Sequence, residues 1–391
     1  VAVTPPAYLF PGDLQMFMAE KSALMAALAL TASVVERRNT IPILQNVLIE
    51  KGATSGHLNA RLSNLDIEAS TPFIADAAID FEPFTVPAGL LADIVRKLPD
   101  GCDVEVTRRS SSLDGITIKA SKFKSNLQVL PASDFPAMRE ANGELPHKLT
   151  IPAADLAAAL SACGFAMSTE ETRFYLNGVY LHPTSAEAEH QGVILVATDG
   201  HRLSKRFVAA ESNPEMPGII IPRQSVKVIE KVVPKTGDIS IEYSESLVRV
   251  SYGAGVITSK LVDGTFPDYR RVIPQEGPMA VTIAAGSLTA SVDRVSTVSG
   301  DKGRGVKFNF AGGQLQLQVI NPDAGEANDE LSYDGDAEIE IGFNAKYVNE
   351  ILANLDGDNV LMNLTDHGSP TVLRNPGAHP ENLIVLMPMR V

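Results

Sequence analysis

Tryptophan is absent from the 391 residues, aromatic side chains make up only 6%, and there are two cysteines. So few aromatics, none of them interleaved with the cations, disfavour a surface that stacks single-stranded bases. Cys102 and Cys163 lie on different predicted elements without metal-ligand spacing, which excludes a disulfide framework and a structural zinc site. Both read as buried free thiols of a reducing compartment. Basic residues are a minority, 33 Lys and Arg against 47 Asp and Glu, for a net charge of −14. That balance argues against gripping nucleic acid by bulk attraction, though it leaves room for a local basic face. No apolar run approaches the roughly 20 residues of a membrane-spanning helix. Residues 23–35, interrupted by Thr31 and Ser33, read as an Ala-rich buried helix rather than a signal segment. Catalytic signatures are missing too. There is no phosphate loop, no Gly-x-Gly-x-x-Gly, no His-Glu-x-x-His and no Gly-x-Ser-x-Gly elbow.

What is present is a repeat. A 45% hydrophobic, 20% charged composition is that of a globular protein, and the length calls for two to four domains. A strand at 17–21 leads into a helix at 22–35, a loop at 36–40 and a strand at 47–50. The order recurs with a helix at 155–165 and a strand at 175–181, then with a helix at 287–298 and a strand at 306–310. The anchors Phe17, Leu149 and Val281 are spaced by 132 residues. Between them lie amphipathic helices opened by Val86-Pro87, Ile221-Pro222 and Phe343-Asn344, with apolar faces such as Leu90, Leu91, Ile94, Val95 and Leu98. Each is followed by an alternating strand, at 103–107, 239–243 and 360–364. Six strand-helix-strands units of about 60 residues therefore pair into three similar domains. The fold class is α+β, with helices covering one side of continuous antiparallel sheets. Residues 1–14, carrying Pro5-Pro6 and Pro11-Gly12, read as an extension. Polar linkers at 140–144 and 274–278 bound domains at 15–144, 145–277 and 278–391.

Several stretches carry chemistry. Asp199-Gly200 signals a hairpin and is followed by His201, Arg202 and an apolar Leu203. This reads either as an ordinary turn or as one wall of a recognition pocket. Asp199, His201 and Ser204 are the residue types of a hydrolytic triad, but six residues of one hairpin could hardly converge on one substrate atom. Arg223, Lys227 and Lys231 fall at i, i+4 and i+8, opposite the apolar face of their helix. Arg96-Lys97, Arg37-Arg38, and Arg294 with Lys302 and Arg304 occupy equivalent places. Such faces are usually just solvated, yet their repetition segregates positive charge and suits phosphate contact without base readout. The acidic group Asp323, Glu326, Asp329 and Glu330 lacks a calcium-loop register and reads as a solvated loop or a docking patch. The apolar end, Leu386-Met387-Pro388-Met389-Arg390-Val391, reads as a final strand or an adaptable surface.

Taken together, residues 40–48, 130–136, 173–178, 197–203, 258–272 and 387–390 resemble the bacterial DNA polymerase III β subunit family, the replicative sliding clamps. The resemblance implies a non-catalytic ring: three similar domains per chain, closed head-to-tail as a homodimer, with helices lining the hole and sheets outside. Duplex DNA would be encircled without sequence specificity. The polymerase α subunit, the clamp-loader δ subunit, other polymerases and repair proteins would dock through short linear motifs. It implies a cytoplasmic protein with no cofactor and no metal. The peptide pocket, between domains two and three, maps onto Leu176, Thr198, Gly200, His201, Arg202, Leu203, Pro267, Arg271, Val272, Asn344, Tyr347, Val385, Met387, Pro388, Met389 and Arg390. DNA-facing positions are Arg38, Arg96, Lys97, Arg173, Tyr175, Arg223, Lys227 and Lys231. For ring closure, residues 116–127 read as an edge strand with Lys119, Lys122, Lys124 and Leu127. Thr297 and Val298, with Glu326, Asp329 and Glu330 nearby, would form the opposing surface. Two places depart from the family pattern: Phe174, where a second Tyr is usual, and Gly368 with Pro370 at the pocket edge.

Overall fold

A computed structural model describes residues 14–36, 40–109, 115–136, 138, 144–275, 277–300 and 305–391. Arg37, Arg38, Lys302, Arg304, most of the 140–144 linker and residues 1–13 lie outside them. The helices are α1 (Lys21–Ala27), α2 (Thr31–Val34), α3 (Ala88–Lys97), α4 (Ala153–Gly164), α5 (Arg223–Val232), α6 (Ala285–Ser296) and α7 (Ala345–Leu352). No helix among the described residues is long and apolar enough to cross a membrane. The chain packs as two compact units. One is Val1–Lys148 with Lys227–Val232 and Ile239–Lys260; the other is Leu149–Val226, Val233–Asp238 and Leu261–Val391.

In the first unit one sheet orders its strands Asp76–Ala77, Leu14–Glu20, Asp103–Arg108, Gly115–Ala120 and Phe123–Gln128. Phe17 of this sheet packs its ring against Phe73, Phe81 and Phe84. Eight of the nine strands of a second sheet run in the order Leu130–Pro131, Phe84–Pro87, Asn46–Lys51, His57–Ser63, Ile67–Ile74, Gly255–Lys260, Leu247–Tyr252 and Asp238–Tyr243. Strand Gly255–Lys260 pairs with Ile67–Ile74, so the sheet runs on across the boundary between successive repeats.

The second unit repeats that device. Its nine-stranded sheet orders Ile219–Pro222, Gly178–Pro183, Gly192–Thr198, Arg202–Ala209, Leu383–Leu386, Thr371–Arg374, Asn359–Leu364, Met279–Ala284 and Asp334–Gly335. The junction is the pairing of Leu203 with Val385 and of Ser204 with Ile384. A four-stranded sheet, Gly325–Ser332, Gln314–Asn321, Gly305–Ala311 and Ile339–Asn344, carries α6 and α7 over Phe308, Phe310 and Phe343. Both junctions are antiparallel, as the alternating patterns predict. The anchors Phe17, Leu149 and Val281 are all buried, each in the strand preceding a helix.

Three expectations are corrected. The helix at 22–35 is broken into α1 and α2. Leu28 and Leu30 are both buried, yet about 200° apart on a continuous helix; the break turns both inward. Residues 116–127 are a hairpin, not one strand: Ala120 faces Phe123 across Ser121-Lys122. Ser121 sits at φ +52°, a left-handed conformation uncommon for a non-glycine residue. Residues 326–330 belong to the edge strand Gly325–Ser332 rather than a loop. Smaller differences are that Leu90 is exposed and that Tyr175 and Leu176 lie in a 3-10 turn before the strand Gly178–Pro183. Leu14 begins the first strand instead of ending an extension.

Candidate functional site

The hairpin at 199–201 joins strands Gly192–Thr198 and Arg202–Ala209, and its tip is stapled internally. Asp199 Oδ1 accepts from the amides of His201 (2.9 Å) and Arg202 (3.0 Å), and Thr198 Oγ1 donates to the Arg202 carbonyl (2.7 Å). Gly200 has φ +89°, and a Cβ there would meet the Arg173 guanidinium at 2.8 Å. The positive φ is what favours glycine there, since the Arg173 side-chain end can give way. Ser204 is fully buried and donates to the Ala162 carbonyl at 2.6 Å. With Asp199 committed to backbone amides, no triad forms at this hairpin.

Arg202 differs from its expected part as a pocket donor. Its guanidinium is buried, bonding Asp199 Oδ2 (3.1 Å), the Phe165 carbonyl (2.8 Å) and Glu350 of α7. It also lies over the Tyr347 ring at 4.6 Å and the Phe165 ring at 5.0 Å. It is a strut tying the hairpin to α4 and α7. His201 stays exposed and stacks on Tyr347 at 5.8 Å between centroids. Asn344 caps α7, accepting from the Lys346 and Tyr347 amides, and so fixes where Tyr347 stands. Glu350 and Phe165 went unread in the sequence; a carboxylate one turn after Tyr347 on a helix is the signal that could have found the first.

Beneath the hairpin lies one buried apolar cluster: Leu176, Ile194, Val196, Leu203, Ile220, Phe266, Tyr269, Val372, Leu383 and Val385. Its floor thus unites three of the sequence-predicted residues. Phe266 and Tyr269, which flank Pro267, anchor the loop that carries Arg271 and Val272. Tyr180 stacks on Phe266 at 4.8 Å, and His182 Nε2 lies 2.9 Å from the Tyr269 hydroxyl. Burial pushes that hydroxyl up to about 12 and lowers the His182 imidazole below its usual value. The neutral ring therefore donates from Nδ1 to the Pro183 carbonyl (2.7 Å) and accepts from Tyr269 at Nε2.

Several apolar side chains near these elements are left open. Val272, Met387 and Met389 are exposed, as is Phe174. The Met387 amide donates to the His201 carbonyl (2.9 Å) and the Met389 amide to the Gly342 carbonyl (2.9 Å). The tail is thereby held between hairpin and sheet. Arg271 is exposed and pairs with Asp268 at 3.0 Å. Pro388, Met389, Arg390 and Val391 line a further groove of about 940 Å³ with Glu338, Glu340, Gly342, His367 and Gly368.

Of the expected DNA-facing residues, Arg96, Lys97, Lys227 and Lys231 are exposed. Arg96 pairs with Asp93 on its own helix, Arg173 with Glu170 (2.6 Å), and Lys231 donates to Ser33 (2.5 Å). The Arg173 bond holds the Glu170 carboxyl below the usual range. Arg223 is half-buried, donating to the Ser168 carbonyl at 3.4 Å, and Tyr175 is half-buried in the 3-10 turn. Arg294 is engaged by Asp329 (2.5 Å).

Among the interface residues, Lys119 lies on the inner strand Gly115–Ala120 and faces Glu105 at 3.6 Å, so it is not on the edge as expected. Lys122 is in the turn, Lys124 is exposed on the edge strand Phe123–Gln128, and Leu127 there is buried. Thr297 caps α6, and Val298 packs on the adjoining core. Glu326, Asp329 and Glu330 share the edge strand, and Asp329 accepts from Ser291 at 2.7 Å, which lowers its pKa. Cys163 is buried as expected, whereas Cys102 is only half-buried.

Comparison with known proteins matches most of the chain to one family. Residues 15–139, 150–268 and 270–390 match the N-terminal, central and C-terminal domains of the DNA polymerase III beta subunit. A beta sliding clamp of Caulobacter vibrioides is 39% identical over 95% of this chain and 99% of its own. A sliding clamp of Bartonella birtlesii, solved bound to griselimycin, is 41% identical with a TM-score of 0.89, covering 96% of this chain and all (100%) of its own. The griselimycin-bound clamp of Pseudomonas aeruginosa gives 30% identity and the same TM-score, 0.89, over 96% of this chain and 100% of its own. The chain belongs to the DNA polymerase III β subunit family, the bacterial sliding clamps, with three clamp domains of α+β fold.

Proposed function

We propose that the apolar shelf framed by Leu176, Leu203, Val272, Val385, Met387 and Met389 is the peptide pocket of this replicative clamp. The clamp itself is a non-catalytic processivity subunit of the DNA polymerase III system. The observation that carries the pocket reading is exposed Met387, pinned by its amide to the His201 carbonyl and following directly on the strand whose Val385 lies in the buried cluster, with exposed Val272 three residues after Tyr269 of the same cluster. Two apolar anchors of a partner peptide would each contribute about 1.5–3 kcal/mol on burial. After ordering costs, roughly micromolar affinity remains, near −8 kcal/mol, which lets partners exchange.

The same reading divides the chain at 15–144, 145–277 and 278–391 and closes two copies head-to-tail into a cytoplasmic ring around duplex DNA. The strands Phe123–Gln128 and Gly325–Ser332 are suited to pairing across copies, because each is the outermost strand of its sheet. Lys124 on one and Glu326 and Glu330 on the other would set register. Exposed Lys97, Lys227 and Lys231 suit contact with the DNA backbone. Gly368 sits in a tight loop, where Asp366 accepts from its amide and from that of Ser369 (both 2.8 Å), and would shape the pocket's edge.

Deleting Met387–Val391 tests the pocket. Griselimycin binding, read by calorimetry, is expected to fall by at least about 100-fold, equivalent to losing one well-buried anchor. The solution mass should stay at twice that of the chain. Unchanged affinity, or loss of the dimer, would contradict the placement.

A further inference from the structure

Two glycines in the last four-stranded sheet have no conformational reason to be glycine. Gly305 and Gly342 lie in the adjacent strands Gly305–Ala311 and Ile339–Asn344, and neither has a positive φ. Their registers are close, Lys307 facing Gly342 and Gly305 facing Asn344. Glycine inside a strand weakens it, and when no turn or bulge needs it, the usual reason is close approach of another backbone. Here that backbone is the C-terminal tail. A Cβ on Gly342 would overlap the Met389 carbonyl oxygen and meet both Val391 methyls at 2.6 Å. A Cβ on Gly305 would meet a Val391 methyl at 2.7 Å and the Met389 ε-methyl at 3.4 Å.

We propose that Gly342 and Gly305 are positioning residues for the peptide pocket: they leave a bare strip of sheet on which the tail lies, and this holds Met387 and Met389 at the pocket wall. This rests on the pocket reading above. The two positions are not equivalent. At Gly342 the obstacle is backbone, which no rotamer change relieves. At Gly305 the nearest atoms are the ends of side chains, which can swing away.

The test uses the full-length dimer with two independent readouts, hydrogen exchange of the C-terminal peptide by mass spectrometry and griselimycin affinity by calorimetry. In the parent protein the Met387 and Met389 amides are both hydrogen-bonded and should be protected. Gly342→Ala is expected to expose the Met389 amide and weaken griselimycin by roughly tenfold or more. It should cost nothing further in a chain already lacking Met387–Val391. Gly305→Ala should have a smaller effect, restored when combined with Val391→Gly; that second change should not restore Gly342→Ala. If Gly342→Ala leaves both readouts at parental values, the proposal is overturned. It is equally overturned if affinity falls while the tail stays protected, or if the substitution is as harmful in the truncated chain. Should Gly342→Ala fail to fold, the Gly305→Ala and Val391→Gly pair decides alone, and absence of rescue overturns the proposal. If the parent protein does not bind griselimycin, the pocket reading fails, while the exchange measurements still test the seat.

Discussion

Individual side chains show where sequence reading reaches its limit. Leu203 stands out in the sequence as an apolar residue just past a turn, and it is indeed part of the buried floor. Arg202, next to it, looks the same in sequence as any exposed cation. Its burial depends on Asp199, Glu350 and the faces of Phe165 and Tyr347 arriving from other elements, which no local pattern encodes. Cys163 is a residue whose environment makes a measurable statement. Burial pushes its thiol up to about 12, against about 8.5 in an unfolded chain. The folded state therefore keeps its advantage below pH 8.5 and loses it progressively as pH rises toward 12, because only the unfolded thiol can ionise. Comparing the parent with Cys163→Ala in urea melts should reveal this group alone. The parent is expected to lose about 2 kcal/mol more than the variant between pH 7 and pH 10. An equal loss in both would show that the thiol is not desolvated. Iodoacetamide at pH 8 should label half-buried Cys102 and spare Cys163.

At the scale of helices and strands, periodicity located the helices and the strands beside them, because one apolar face per element was enough to find them, whereas strands such as His57–Ser63, Ile67–Ile74, Gln314–Asn321 and Thr371–Arg374 were not read. Ends and joints were less legible. The break between α1 and α2 is driven by burial of Leu28 and Leu30 in three dimensions. The turn Ser121-Lys122 uses a strained serine where the Asn-Gly or Asp-Gly signal is missing. That second case moved Lys119 off the edge. The basic stripe of α5 was legible from its spacing alone, and its consequence can be measured. Replacing Arg223, Lys227 and Lys231 by glutamine should reduce the salt dependence of DNA association. Each phosphate left without its cation lowers the slope by about 0.9, so a fall of about 2 is expected if exposed Lys227 and Lys231 carry most of the effect. A parental slope in the triple variant would remove this helix from the DNA-facing surface.

For the molecule as a whole, the repeat was visible in the spacing of Phe17, Leu149 and Val281, and the structure gives it a physical basis. Sheets do not stop at repeat boundaries. Strand Gly255–Lys260 extends one sheet through Ile67–Ile74, and Leu383–Leu386 joins another through Arg202–Ala209. Neighbouring repeats thus share backbone hydrogen bonds as well as side-chain packing. With a net charge of −14, bulk attraction for DNA is disfavoured, and a clamp of this family is retained by closure around the duplex. The most direct measurement is retention on nicked circular DNA, after loading by a clamp loader and before and after the circle is cut. A ring threaded by the duplex stays on the closed circle through a salt wash and is lost from the free ends once the DNA is linearised. Protein that remains on the linear DNA with both ends open would contradict encirclement.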